Sequence, residues 1–180
     1  MWSNVQVAGS EGGNTALRGQ VDGYDKLKPY GFCIHGAIDG YSRRIMWLEV
    51  GRSNNNSRVI ASYFLGCVNE LSGVPRIISG DQGTEKVNVA DMQCFFRRDA
   101  QDDFAGQKSF LYGRSVSNQR IKVWWGFLRR SETDWWINFF EDLRNTGLLN
   151  DSDLVQAEWA FQISTYKVSR IYWRLHLVRI

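Results

Sequence analysis

Asp22 and Asp81 are the two acids whose settings invite chemistry. The first lies in Val21-Asp22-Gly23-Tyr24 and the second closes the apolar run Ile77-Ile78-Ser79-Gly80-Asp81 ahead of Gln82-Gly83. Hard divalent cations take several carboxylate oxygens converging from different elements. Two such cations about 3.5–4 Å apart activate an attacking hydroxyl and stabilise a leaving oxygen in phosphoryl displacement. Two strand-borne aspartates are therefore candidate ligands for that kind of clamp.

The elements that must carry them are readable from periodicity. Residues 16–24 read as a strand holding Asp22, followed by the turn Asp25-Lys26-Leu27-Lys28-Pro29-Tyr30-Gly31. Phe32 to Asp39 and Arg44 to Val50 read as two further strands, giving an antiparallel meander. Val59, Ile60, Tyr63, Phe64, Cys67, Val68 and Leu71 recur at helical spacing before Gly73 and Pro75. Arg76 to Ser79 is a short strand that delivers Asp81, and Val87 to Arg98 a helix. Residues 99–117 are mostly irregular, with one short strand at Ser109 to Tyr112. Asn118 to Arg130 is a third helix. Ser131-Glu132-Thr133-Asp134 has the spacing of a capping box and opens a fourth helix, which Gly147 stops. This order is similar to that of the ribonuclease H-like fold. It predicts an α/β domain with a mixed five-stranded sheet, three antiparallel N-terminal strands and flanking helices. In that fold the first and fourth strands are neighbours, so both aspartates meet at one rim.

Asp39 is the rival for Asp22. A hairpin centred near Lys28 sets Asp22 opposite about Ile34, which puts Asp39 about five residues, or roughly 17 Å, away along the strand. Asp39 is accordingly expected to stabilise its turn rather than share a cation with Asp22.

Three blocks carry a family resemblance. The first runs from Val21-Asp22-Gly23-Tyr24 to Ile38-Asp39-Gly40-Tyr41-Ser42-Arg43. The second is Gly73-Val74-Pro75-Arg76-Ile77-Ile78-Ser79-Gly80-Asp81-Gln82-Gly83-Thr84-Glu85, and the third spans Ser117 to Arg130. In this order and at these intervals the chain resembles the integrase catalytic core of retroviruses and retrotransposons over about residues 20 to 145. The pairs Trp124-Trp125 and Trp135-Trp136 bring it closer to transposon-like animal integrase cores. The resemblance implies DNA as partner, Mg2+ or Mn2+ as cofactor, and Asp22 and Asp81 as catalytic metal ligands. It also implies a glutamate in the third block, where this chain has Lys122.

Lys122 departs from that pattern by two charges. It removes a ligand and adds a cation, and each unit-charge pair at about 4 Å is worth on the order of 4 kcal/mol at an effective dielectric near 20. Weak or absent metal binding follows as the expectation. The core-facing stripe of this helix is predicted as Ile121, Trp124 or Trp125, and Leu128. Asn118, Lys122, Gly126 and Arg129 form the opposite face, so the ammonium is expected to pair with Asp22 and Asp81. Glu132, roughly 15 Å further along a continuous helix, is too distant to replace the lost acid. Glu85 is the nearer candidate for reaching one metal.

Arg114, Asn118, Arg120, Arg129 and Arg130 are the expected nucleic-acid contacts, since phosphates are met by Arg, Lys and amide side chains. Arg43, Arg44, Arg97 and Arg98 are further candidates for a DNA path. The tryptophans are read as core rather than base-stacking platforms, because Trp136, Phe139, Phe140 and Leu143 recur at helical spacing. The stretch before the third block corresponds in the family to a mobile loop and is a candidate DNA gate. Lys167, Arg170, Arg174 and Arg179 give the end of the chain a basic face.

Composition sets the outer bounds. The chain has 180 residues, net charge +3 and 43% hydrophobic residues with eight Trp. These suit a globular domain with a mildly basic surface. We divide it into an irregular lead-in (1–16), an integrase-core unit (17–147) and a helical tail (148–180). Cys33, Cys67 and Cys94 lack metal-ligand spacing and read as buried free thiols. No apolar run reaches a membrane span. An intracellular protein, nuclear in a eukaryote, is expected, and a homo-oligomer is compatible with the sequence. Three readings remain open: a degenerate integrase or transposase core that binds nucleic acid, an active transposase-type enzyme with an unexpected third ligand, and a non-enzymatic domesticated scaffold or protein-interaction module.

Overall fold

The computed structural model describes residues 6–7, 18–113 and 118–149. Its strands are β1 (Gln6–Val7), β2 (Arg18–Tyr24), β3 (Cys33–Asp39), β4 (Ile45–Gly51), β5 (Gly73–Val74), β6 (Ile77–Gly80) and β7 (Phe110–Tyr112). Its helices are α1 (Ser57–Leu71), α2 (Val87–Phe96), α3 (Gln119–Leu128) and α4 (Asp134–Asn145). The main sheet has the order β4-β3-β2-β6-β7. β2, β3 and β4 are antiparallel, while β6 runs parallel to β2 and β7 parallel to β6. This is the mixed, ribonuclease H-like sheet expected. A separate pair joins β1 to β5 in parallel, so a strand lies within the polar lead-in. Arg114 and the basic residues Lys167, Arg170, Arg174 and Arg179 lie outside the described residues, as does the tail beyond residue 149.

The period-2 alternation of the strands divides the core in two. One side holds Val21, Ala37, Met46 and Ile78 against Ile60, Phe64 and Val68 of α1 and Val89 of α2. The other holds Tyr24, Ile34, Ile38 and Leu48 against Ile121, Trp125 and Leu128 of α3 and Phe140 of α4. Helix α1 starts where Asn56 accepts the backbone N–H groups of Arg58 (3.1 Å) and Val59 (3.4 Å). It ends at Ser72, whose left-handed backbone precedes Gly73.

Two local expectations change. Asp22 faces Gly36 rather than Ile34, so Asp39 lies three positions on, opposite Gly19 and about 10 Å away along the strand. An odd offset also turns it to the other face of the sheet. Asp39 is buried and accepts the N–H groups of Arg18 (3.1 Å) and Ser42 (2.8 Å). The nearer register thus leaves its turn-binding role intact.

The second change concerns the predicted capping box. Helix α3 does not stop before α4. A π-helical turn over Arg129–Thr133 joins them, and no side chain caps α4. Ser131 Oγ donates back to the carbonyls of Phe127 (3.0 Å) and Leu128 (3.4 Å), and Thr133 Oγ1 to that of Leu128 (3.3 Å). Hydroxyls that satisfy carbonyls behind them continue a helix instead of starting one. Gly147, at φ 72°, does stop α4, and the N–H groups of Leu148 and Leu149 return to the Leu143 carbonyl.

Candidate active site

The strand register brings the two aspartates together. β2 and β6 pair in phase from Arg18↔Ile77 to Gln20↔Ser79. Counting on in the same phase sets Asp22 level with Asp81, at the open end where the strands separate. Both belong to the sheet face that α3 covers, since Gln20 and Ser79, two residues earlier on each strand, bond to α3 and its N-terminus.

Those bonds fix α3. Its N-terminus lacks a capping side chain of its own. Gln20 Oε1 supplies the acceptor instead, from Arg120 N–H (3.0 Å) and Ile121 N–H (3.3 Å). Ser79 Oγ donates to Asn118 Oδ1 (3.4 Å). Asn118 is 2% exposed, which removes it from the expected nucleic-acid face and makes it a link between α3 and β6. Ile121, Trp125 and Leu128 are the buried stripe, whereas Trp124 is only partly covered. The Trp125 ring lies directly over Gly36, where a Cβ would come within 2.9 Å of Cη2.

With α3 so held, Lys122 is exposed on the side of the helix next to the rim, and its charge acts on both Asp22 and Asp81. It is not the foremost cation there. Lys86 is 1% exposed and donates from Nζ to Asp81 Oδ1 and to Glu85 Oε1, the latter at 2.6 Å. Burial disfavours the Lys86 charge, but the bonds to Asp81 and Glu85 more than offset it and raise its pKa. Glu85, the candidate spare ligand, is thereby engaged with Lys86.

The two aspartates titrate apart. Burial pushes Asp22 above the usual carboxylate range; Lys86 pulls it down, Asp81 adds to the rise, and Lys122 and the Trp125 indole oppose it. The Trp125 Nε1 is buried and forms no hydrogen bond of normal geometry, yet its N–H favours the charged form of Asp22. Burial also acts on Asp81, but the Lys86 hydrogen bond and charge, the Gly83 N–H and Lys122 outweigh it and hold Asp81 below its usual value. Asp81 is the fixed anion and Asp22 the acid nearer to taking a proton.

This donor set does not fit a pair of divalent ions. Lys86 already occupies Asp81 and Glu85, the charges of Lys86 and Lys122 both act on Asp22 and Asp81, and among the described residues no three of His, Cys, Asp and Glu are grouped to hold a metal ion. Lys86 was not a candidate from sequence alone, although a signal existed. Lys86, Val89, Ala90, Gln93 and Arg97 fall on one helical stripe, and all five are buried.

The remaining basic candidates separate by burial. Arg120, Arg129 and Arg130 are exposed along α3 and the turn after it, and Arg129 Nε bonds to Asp134 Oδ1 (2.8 Å). Arg97 is buried against Asp102 (2.5 Å) and leaves the expected DNA path. Arg98 lies over the Phe95 ring and pairs with Asp99 (3.1 Å). Trp125 and Phe140 are core as expected. Trp135, by contrast, is 60% exposed and stacks on Phe139. Cys33 and Cys67 are buried free thiols, with Cys94 half-buried.

A family model described as an integrase core domain matches residues 15–176. No curated protein matches the chain.

Proposed function

The chain belongs to the integrase core domain family, and from that premise we propose that it is a DNA-binding integrase-type core in which polynucleotidyl transfer is impaired. The observation that carries the reading is the charge balance at the rim. Asp22 and Asp81 face Lys86 and Lys122, where family chemistry uses divalent metal ions bound by acids. DNA binding is supported by Arg120, Lys122, Arg129 and Arg130, which expose positive charge along one helix and its continuation.

The test is a Mn2+-dependent strand-transfer assay on the chain as it stands, beside titration of duplex DNA at several salt concentrations. No strand transfer is expected. Affinity should fall steeply with salt, with a log–log slope of about −3 to −4 if four side chains meet phosphates. Strand transfer by the unmodified chain would overturn the impairment and favour the active-enzyme reading.

A second reading, a protein-binding scaffold, draws support from Val123, Phe127 and Trp135. These large apolar side chains are exposed on the same helical rod. DNA affinity that is weak and flat with salt would favour it.

A further inference from the structure

Lys86 has a built enclosure. Its stem crosses Gly80, where a Cβ would come within 2.8 Å of the lysine Cδ. Its ammonium then meets Asp81 on one side and Glu85 on the other. Glu85 reaches it by folding back over Gly83, where a Cβ would lie 2.2 Å from the carboxylate oxygen. Two glycines therefore clear the space, one for the stem and one for the second carboxylate. The short 3₁₀ turn Thr84–Lys86 leads straight into α2, so the enclosure is tied to the start of that helix. Lysine is almost never buried without a partner, and here two carboxylates supply it.

We propose that Lys86 is the resident cation of this rim, and that it, ahead of Lys122, bars a divalent ion from Asp81. The inference rests on the reading of the site as a degenerate integrase centre and locates its main obstacle. Among the cations acting on Asp22, Lys86 ranks before Lys122, and it alone is enclosed. Lys122 reaches the rim from a helix surface and is exposed to solvent. Lys86 is covered on all sides. Replacing Lys122 with an acid restores one ligand but leaves an ammonium on Asp81. Recovery of cation binding consequently requires two changes.

Mn2+ binding is measured by calorimetry on the wild-type chain, Lys122→Glu, Lys86→Met and the Lys86→Met/Lys122→Glu double variant. Methionine keeps the length of the stem and removes the charge. The double variant is expected to bind Mn2+ at least about tenfold more tightly than Lys122→Glu, since removing one adjacent unit charge is worth that or more. Equal affinity in those two proteins would overturn the role of Lys86 while leaving the impairment reading standing. Tight Mn2+ binding by the wild type would overturn both. Reductive methylation of the native wild-type chain tests the enclosure without any substitution. Lys86 should be spared while Lys122 is modified, and modification of both at the same rate would sink the proposal.

Discussion

Asp22 and Asp81 end up as unlike acids although they lie level on neighbouring strands. Asp81 keeps its charge through a hydrogen-bonded ammonium, and Asp22 is pushed toward its neutral form by burial. The pairing was legible through the resemblance: periodicity gave the order of the elements, and the ribonuclease H-like fold which that order resembles implies that the two strands are neighbours. The cation between Asp81 and Glu85 was not. A lysine directly after a glutamate reads as solvated charge, and only the spaces left at Gly80 and Gly83 decide otherwise. His35 provides a residue-scale test on the opposite face of the sheet. It is buried, its Nδ1 accepts from Trp47 Nε1 (3.1 Å), and burial lowers its pKa to about 3, with Lys86 acting in the same direction. The folded state thus holds His35 neutral, whereas the unfolded chain takes up a proton near pH 6.5. This contribution is fully present above pH 6.5 and declines as pH falls from there toward about 3. Thermal melts from pH 7 to pH 4 should show a loss that is smaller in His35→Gln. An identical pH profile in the variant would rule the histidine out as the cause.

At the scale of elements, α3 is the piece that carries Lys122, whose charge acts on both aspartates, and its anchor comes from another element. Gln20 of β2 accepts two N–H groups at the helix start, where a local side-chain cap is absent. Gln20→Ala should cost about 1 kcal/mol, the usual worth of a lost N-cap. Ser131→Ala should cost less than about 0.5 kcal/mol, because its hydroxyl only bonds back to carbonyls within the helix. Urea unfolding of the two variants separates this arrangement from a capping box, for which the order of the two costs would be reversed. The sequence misled here for a definite reason. Ser-x-x-Asp spacing is shared by a cap and by a helix that continues, and the apolar residues Leu128 and Phe140 on either side decide between them by packing into one core.

For the whole molecule, the order of strands and helices was readable from alternation and helical stripes, and its likeness to the ribonuclease H-like fold implied the mixed sheet with flanking helices. What sequence could not supply were contacts that join distant segments. Examples are Gln93 Nε2 donating to the Pro75 carbonyl at 2.7 Å and Tyr30 Oη donating to the Ile137 carbonyl at 3.2 Å. Phe140 is the deepest residue of α4, and it meets Phe32, Tyr30 and Trp136. Phe140→Ala should destabilise the fold by about 3–5 kcal/mol, measured by urea unfolding. A cost below 1 kcal/mol would mean that α4 is not part of the core. Among the described residues no helix is long and apolar enough to cross a membrane.

The π turn over Arg129–Thr133 makes α3 and α4 a single rod with a step in its screw. Each residue of a regular helix advances the direction of its side chain by about 100°, so one residue more or fewer in that turn would swivel everything beyond it by that angle. Phe140 would rotate out of the core and Trp135 would sweep to a new bearing, while Lys122, on the near side of the step, would keep its place. The rod therefore carries two angular settings that can drift independently: one places the lysine whose charge acts on the carboxylates, and the other decides which aromatic rings meet the outside.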